Sequence, residues 1–145
     1  MDSSDGFVEI WIPIERDATE PQDWERLFAT PVTGGFRIDN AAFFAKGIAM
    51  HDVVSAERNA EGAYHLRDVI SRGGHSLFRI WVDERHRAPA DVCAQLNRMG
   101  CFTELTQHRL ISIDVPPAAE LSVREFLAKG KNQGHWKLQT GYSPE

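Results

Sequence analysis

Residues 36–57 read FRIDNAAFFAKGIAMHDVVSAE, and the rest of the chain is organised around this stretch. It opens with alternating apolar and polar residues, a pattern typical of a strand, and a second strand begins at Asp52. Between them lies a largely apolar connection that contains Phe43 and Phe44. Aromatic rings gain nothing from exposure in a flexible linker, so we expect this loop to fold back over the core.

Polar side chains within and just beyond the loop predict a pocket formed by Asp39, Asn40, Lys46, His51, Asp52 and His75. Histidine titrates near neutral pH, so His51 and His75 suit acid–base chemistry such as RNA phosphodiester cleavage. Lys46 would stabilise the developing negative charge. In the alternative interpretation, Asp52 and Ser76 satisfy backbone groups where strands begin, and the histidines lie half-buried beside them. No residue is assigned a catalytic role.

The first half of the chain consists of short segments with strand-like alternation, separated by glycine-containing turns. In the first segment, Val8, Ile10, Ile12 and Ile14 form one aliphatic face, and Pro13 indicates a local sheet edge because proline has no amide donor. Antiparallel strands of this kind close into a small barrel or a curled sheet. The predicted strands are Phe7–Ile14, Trp24–Pro31, Phe36–Asp39, Asp52–Arg58 and Ala63–Ser71.

The second half has a different pattern, because two segments with helical periodicity lie between strands. Pro89 suits the first turn of one helix and Gly100 its end, while Pro116-Pro117 precedes the other helix. The order β-α-β-β-α-β is the ferredoxin-like pattern, with both helices on one sheet face. The predicted elements are strand Ser76–Asp83, helix Pro89–Gly100, strands Cys101–Thr106 and Leu110–Val115, helix Ala119–Lys131 and strand His135–Tyr142. A tight turn is predicted at Gln107-His108.

The predicted class is therefore α+β: an antiparallel, barrel-like half (residues 1–75) followed by a ferredoxin-like half (residues 76–145), as one compact unit. The 145 residues, with 42% hydrophobic and 26% charged side chains, are typical of a folded globular protein. No apolar run approaches the roughly 20 residues needed to span a bilayer, and residues 1–7 lack the order of a signal peptide. We expect a cytoplasmic protein.

Cysteine and histidine spacing predicts no metal or other cofactor. Cys93 and Cys101 form neither a CxxC motif nor a zinc pattern, and each is expected to be a small buried apolar residue. His51, Asp52, His65 and His75 lack the HxH and HxxxH spacings of metal sites.

Charge is uneven along the chain, whose formal net charge is −5. Residues 2–25 contain eight carboxylates and one base, Arg16. This balance argues against nucleic acid as the main partner and suits a basic protein partner. We expect the binding surface to comprise Asp17, Glu20, Asp23, Trp24 and Trp11, because tryptophan is enriched at interface hot spots. In the alternative interpretation, the acidic residues solvate the surface and Trp11 packs beneath the other half.

Five segments carry a resemblance that covers most of the chain: FVEIWIPIE at residues 7–15, RLFATPV at 26–32, the stretch at 36–57, GGHSLFRIWV at 73–82 and SIDVPP at 112–117. With these segments the chain resembles an uncharacterised family of small bacterial proteins, known as a domain of unknown function. The resemblance implies a fold and a bacterial, cytosolic origin, and it implies no activity.

Two functional hypotheses follow. The first is a non-enzymatic binding protein, most concretely an antitoxin-like immunity protein that covers the active site of a basic toxin nuclease with acidic residues. The second is a small enzyme or sensor that acts on RNA or a phosphorylated small molecule through the Phe36–Glu57 loop. We expect a monomer or weak dimer that does not enter a membrane.

Overall fold

The computed structural model describes residues 6–14, 23–106 and 109–144. These residues form an α+β fold, as the sequence predicts. The strands are β1 (Val8–Ile14), β2 (Asp23–Val32), β3 (Gly35–Ile38), β4 (Val53–Arg58), β5 (Tyr64–Ser71), β6 (Ser76–Val82), β7 (Phe102–Leu105), β8 (Leu110–Val115) and β9 (Trp136–Tyr142). The helices are α1 (Pro89–Arg98) and α2 (Glu120–Asn132), and a short 3₁₀ turn at Pro117–Ala119 precedes α2. The turn predicted at Gln107-His108 lies outside the described residues.

Strands β1 to β5 form a closed barrel. Successive strands pair antiparallel, but the barrel closes through a short parallel pair between β1 and β5, at Ile10–Tyr64 and Trp11–His65. The purely antiparallel expectation is therefore wrong at this one pair. In a five-stranded meander the first and last strands run in the same direction, so closure has to be parallel. This pairing stops at Trp11, which leaves Pro13 with a partner on β2 alone.

Strands β6 to β9 form an antiparallel sheet with the order β7-β8-β6-β9. Both helices pack on one face, where their buried residues meet alternate residues of β6 and β8. This core comprises Phe78, Ile80, Val82, Val92, Leu96, Cys101, Ile111, Ile113, Val115, Val123, Leu127 and Trp136. Among the described residues, no helix is both long and apolar enough to cross a membrane.

Strand β6 contributes to two cores, because its side chains alternate between the two faces of the sheet. Phe78 belongs to the helix-covered core, whereas Leu77 joins the barrel core together with Ile10, Leu27 and Ile38. The predicted boundary between residues 75 and 76 falls just before this strand, and the independence of the two halves stays a prediction.

Candidate functional site

The loop at residues 39–52 lies against the sheet face that the helices leave free. That face carries a row of four polar residues, which the strand register places side by side: Gln139, Arg79, Ser112 and Glu104. Arg79 and Ser112 are fully buried. A buried polar residue requires hydrogen-bonding partners, and the loop backbone supplies them.

Arg79 and Ser112 bind the loop through one carbonyl oxygen. Arg79 Nη1 donates to the Ala42 oxygen at 2.9 Å, and Ser112 Oγ donates to the same oxygen at 2.6 Å. Gln139 Oε1 accepts from Arg79 Nε at 2.9 Å, which fixes the plane of the guanidinium group. Glu104 Oε2 accepts from the Ala41 amide at 3.2 Å. The row of polar residues therefore binds the Ala41 amide and the Ala42 carbonyl, and so holds this part of the loop against the sheet.

Glu25, on β2 of the barrel, binds the next part of the loop. Its carboxylate accepts hydrogen bonds from three consecutive amides, those of Phe43, Phe44 and Ala45, at 2.7, 3.0 and 2.9 Å. Burial lowers the pKa of Arg79, and the negative charge of Glu25 acts in the opposite direction. Glu25 thus satisfies three consecutive amides of an apolar loop, and Arg79 donates to its carbonyl oxygens.

A second polar group lies at the other end of the loop, where two histidines meet. The rings of His51 and His75 have centroids 4.3 Å apart. His75 Nδ1 lies 3.0 and 2.9 Å from the two carboxylate oxygens of Asp114, on β8. Because an ionised carboxylate accepts and does not donate, His75 donates to Asp114 through Nδ1.

Asp114 is 4% exposed, and burial raises the pKa of its carboxyl group. The hydrogen bond and charge of His75 and the charge of His51 act against that rise, while the nearby Asp52 adds to it. The carboxylate therefore orients His75 from a buried position.

Asp52 is fully buried and organises the turn beneath the histidines. It accepts from the amides of Ala49 and Gly73 at 3.0 Å each and from Arg72 Nη1 at 2.9 Å. The Arg72 guanidinium also lies 4.0 Å from the centre of the Tyr142 ring. The two amide hydrogen bonds confirm that Asp52 satisfies backbone groups. The same expectation for Ser76 is wrong, because its buried hydroxyl finds no hydrogen-bond partner among the described residues.

Close backbone packing fixes His51. It adopts a left-handed conformation with φ of 74°, which is uncommon for a residue with a side chain. A Cβ at Gly73 would lie 2.5 Å from the His51 Cβ and 2.6 Å from its carbonyl oxygen. Glycine is therefore required at residue 73 for the two segments to approach each other.

The predicted polar pocket thus separates into two places. His51, Asp52 and His75 come together, joined by Asp114 and Arg72, which the sequence analysis missed. Lys46 is exposed on the loop, and the cation that pairs with Asp52 is Arg72.

Asp39 and Asn40 serve the barrel instead. Asp39 accepts from Thr30 Oγ1 and from Arg37 Nε, and Asn40 Oδ1 accepts from the Phe28 amide at 2.8 Å. Both residues follow β3 directly, so their side chains reach the neighbouring strand β2. The expectation that they share a pocket with the histidines is wrong.

The predicted partner-binding residues lie on the barrel, as far as the structure describes them. Ile10 and Ile12 of β1 enter the core, so Trp11 faces outwards, where the Arg26 guanidinium lies 5.3 Å from the centre of its ring. Trp24 belongs to the same outer face and contacts the His65 ring edge-to-face at 4.8 Å. Asp17 and Glu20 lie outside the described residues.

Metal-binding side chains do not cluster among residues 6–14, 23–106 and 109–144, where no group of three or more suitable residues is found. Cys93 and Cys101 are both free. Burial raises the pKa of the Cys101 thiol to about 11, so this group is protonated at neutral pH.

Together these features define a barrel joined to a helix-covered antiparallel sheet, with an internally bound loop between them. Residues 25–138 match the family model described as Domain of unknown function (DUF4265). The match covers most of the chain, which therefore belongs to this family. Comparison with curated proteins gives no match.

A solved structure shares the fold. It is a crystal structure of a hypothetical protein from Neisseria gonorrhoeae, with a TM-score of 0.77 and 18% sequence identity. The alignment covers 92% of this chain and 92% of that chain. At this identity the likeness shows a common fold.

Proposed function

We propose that this protein is a non-enzymatic binding protein that engages a protein partner through the outer face of its barrel. The observation that carries the proposal is the pair of tryptophans, Trp11 and Trp24, on that face beside Arg26. Tryptophan and arginine are the residue types most enriched among interface hot spots. Trp24 is 40% exposed, which leaves much of its ring available.

Phe44 extends this surface. Its side chain is 56% exposed, and with Ile14, Asp23, Trp24 and Glu25 it lines a depression of about 320 Å³. Its amide is bound by Glu25 at 3.0 Å, and its carbonyl accepts from Arg79 at 3.4 Å. An exposed ring on a fixed backbone loses little conformational entropy when a partner binds, which favours affinity.

The most concrete form of this proposal is an immunity protein that covers the active site of a basic toxin nuclease in the cytoplasm, as a monomer or weak dimer. Its support is the charge of residues 2–25, eight carboxylates against one base. On the described barrel face, Glu9 pairs with Arg26 and Glu57 with Arg67, so those carboxylates are already compensated. The proposed acidic contact comprises Asp17, Glu20 and Asp23, which belong to that segment.

The test is affinity capture of the tagged protein from its native lysate, compared with the variant Trp11→Ala/Trp24→Ala. The control is Leu121→Ser, because Leu121 is 73% exposed on α2. The proposal expects one basic protein at near-equal amount, retained by the control and lost from the double variant, whose nuclease activity the wild-type protein suppresses. Identical captures from all three proteins would contradict the proposal.

A second candidate, an enzyme acting on RNA or a phosphorylated small molecule, is favoured by one observation. Asp114 orients His75 through Nδ1, as an acid–base histidine requires, and His51 lies beside it. A labelled RNA and p-nitrophenyl phosphate are suitable substrates. Hydrolysis should disappear in His75→Ala and persist in His86→Ala; equal rates in both variants would dismiss this candidate.

For the fold, we infer that the second half is ferredoxin-like and the first half a small barrel. The strand order β9-β6-β8-β7, with two helices on one face, supports the first assignment. The closed order of β1 to β5 supports the second.

A further inference from the structure

A basic groove opens where β6 ends and β9 begins. Its volume is about 920 Å³, and its lining includes Trp81, Arg109, Lys131, Lys137 and the pair Asp83–Arg85. Sites for small ligands commonly measure about 300–1,000 Å³. Four of the lining side chains are basic and one is acidic, although the whole chain has a net charge of −5.

Of these four positive charges, one has an ion-pair partner within the described part of the chain and three have none there. Arg85 is neutralised locally, because its Nε and Nη2 bind the two oxygens of Asp83 at 3.0 and 2.8 Å. Among the described residues, Arg109, Lys131 and Lys137 form no ion pair. Like charges gathered without a partner repel one another, and an anion in the groove would relieve that repulsion.

Arg109 is fixed at the groove by its backbone and its side chain. Its carbonyl accepts from the Val82 amide at 3.1 Å, and its Nη1 donates to the Val82 oxygen at 3.0 Å. The residue has φ of 71°, a left-handed conformation that is uncommon for a residue with a side chain. Nη1 is thus used for anchoring, and within the described part of the chain the other guanidinium nitrogens of Arg109 have no hydrogen-bond partner.

Trp81 supplies a flat ring beside one of the charges. It lies directly opposite Lys137 across the β6–β9 pair, so the two side chains share a sheet face. Trp81 is half-buried and therefore offers part of its ring to the groove. Indole rings stack on nucleobases, and this contact does not depend on which base is bound because every base has a flat aromatic face.

The carboxyl end of α2 lies near the groove and opposes anion binding, since it carries a partial negative charge of about half a unit. The last carbonyls of the helix already accept hydrogen bonds, from the amides of Gln133, Gly134 and His135. Three full positive charges outweigh this partial charge, so the groove keeps a positive potential.

From this arrangement we propose that the groove binds a nucleotide, with its phosphate on Lys131, Lys137 and Arg109 and its base on Trp81. The same chemistry is available in a free nucleotide and in single-stranded RNA. The site is independent of the proposed protein-binding face, because none of the residues that line the groove belongs to the barrel.

The experiment titrates the full chain with three probes: inorganic pyrophosphate, ADP and a short single-stranded oligouridine, by calorimetry at low salt. ADP or the oligouridine should bind at least about tenfold more tightly than pyrophosphate, which has no base to stack. Tighter binding of ADP assigns the groove to free nucleotides, and tighter binding of the oligouridine assigns it to RNA. Pyrophosphate binding as tight as both, or no binding at millimolar concentration, would overturn the proposal.

Variants locate the site. Lys131→Glu/Lys137→Glu should weaken ADP binding about tenfold or more, because two phosphate contacts become repulsive. Lys46→Glu/Lys129→Glu is the matched control, with the same change in net charge at two exposed lysines outside the groove. Trp81→Ala should weaken ADP and leave pyrophosphate unchanged. An equal loss in both lysine pairs would mean that general charge and not the groove binds the nucleotide.

Discussion

Arg79 Nη1 lies 2.9 Å from the carbonyl oxygen of Ala42, and this contact joins the centre of the sheet to the first part of the loop. The guanidinium is fully buried and also reaches Gln139 and Phe44. An apolar loop can cover a sheet face only if its backbone groups find partners there. Arg79 supplies those partners from inside the sheet, where a hydrophobic side chain would supply none.

Arg79→Ala should therefore destabilise the protein strongly. The substitution leaves the Phe44 carbonyl and the Gln139 side chain without this donor and removes the positive charge near the half-buried Glu25 carboxylate, so we expect a loss of about 3 kcal/mol or more. Arg79→Lys should lose less, because it keeps the charge but not the planar set of donors. Urea denaturation measures both changes. Arg98→Ala, at an exposed site on α1, is the control, and an equally small loss in Arg79→Ala would refute the anchoring role.

Glu25→Gln tests the other side of the loop. The amide keeps the shape of the carboxylate but loses its charge and one acceptor oxygen, whereas Glu25 accepts from three amides through both oxygens. We expect faster hydrogen exchange at the amides of Phe43, Phe44 and Ala45 and a loss of about 1–3 kcal/mol. Glu57→Gln, at an exposed ion pair, should leave those amides unchanged. Exchange that is the same in both variants would mean that the loop does not depend on Glu25.

Strand and helix positions follow closely from the sequence, because alternation, helical spacing, glycine turns and proline breaks are local signals. The loop was expected to fold over the core for the same kind of reason, and its residues Ala41, Ala42, Ala45, Ile48 and Ala49 are buried. The side chains that bind the loop backbone were not predicted from the sequence. Which polar groups converge depends on strand register across residues far apart in the chain, and one sequence does not reveal that register.

Two signals nevertheless pointed to the missed residues. Arg79 interrupts the apolar strand SLFRIWV, and Asp114 interrupts LISIDV. A charged residue inside an otherwise apolar strand is rarely buried unless it has a partner. Asp39 and Asn40 were instead included wrongly. They are near His51 in sequence, which suggested a shared pocket, but their side chains turn towards β2.

The pH dependence of Asp114 is a further prediction. Burial raises the pKa of its carboxyl group above the ordinary 3.8, so the folded state holds this proton more tightly than the unfolded chain does. The contribution of Asp114 to stability is then most favourable below pH 3.8 and declines as the pH rises from there through the folded-state pKa. Asp114→Asn should remove this decline, which parallel urea titrations of both proteins at a series of pH values would reveal.

His75 determines how far that pKa rises. Its hydrogen bond and its charge both lower the pKa of Asp114, so His75→Ala should shift the carboxyl titration to higher pH. Carbon-detected NMR of the side-chain carboxyl measures the midpoint directly. His86→Ala is the control, because His86 contacts the His135 ring and not Asp114. A midpoint that falls in His75→Ala would contradict the geometry described for this pair.

The two buried serines of the sheet should respond oppositely to removal of the hydroxyl. Ser76 Oγ has no hydrogen-bond partner among the described residues, whereas Ser112 Oγ donates to the Ala42 carbonyl at 2.6 Å. A buried hydroxyl without a partner costs about 1–3 kcal/mol of desolvation, so Ser76→Ala should raise the free energy of unfolding by about 1 kcal/mol. Ser112→Ala should lower it by about as much. Urea denaturation of the two variants measures both changes, and the comparison is matched because each variant removes the same side-chain volume. A loss of stability in Ser76→Ala would contradict the prediction and show that its hydroxyl has a partner in solution, such as a bound water.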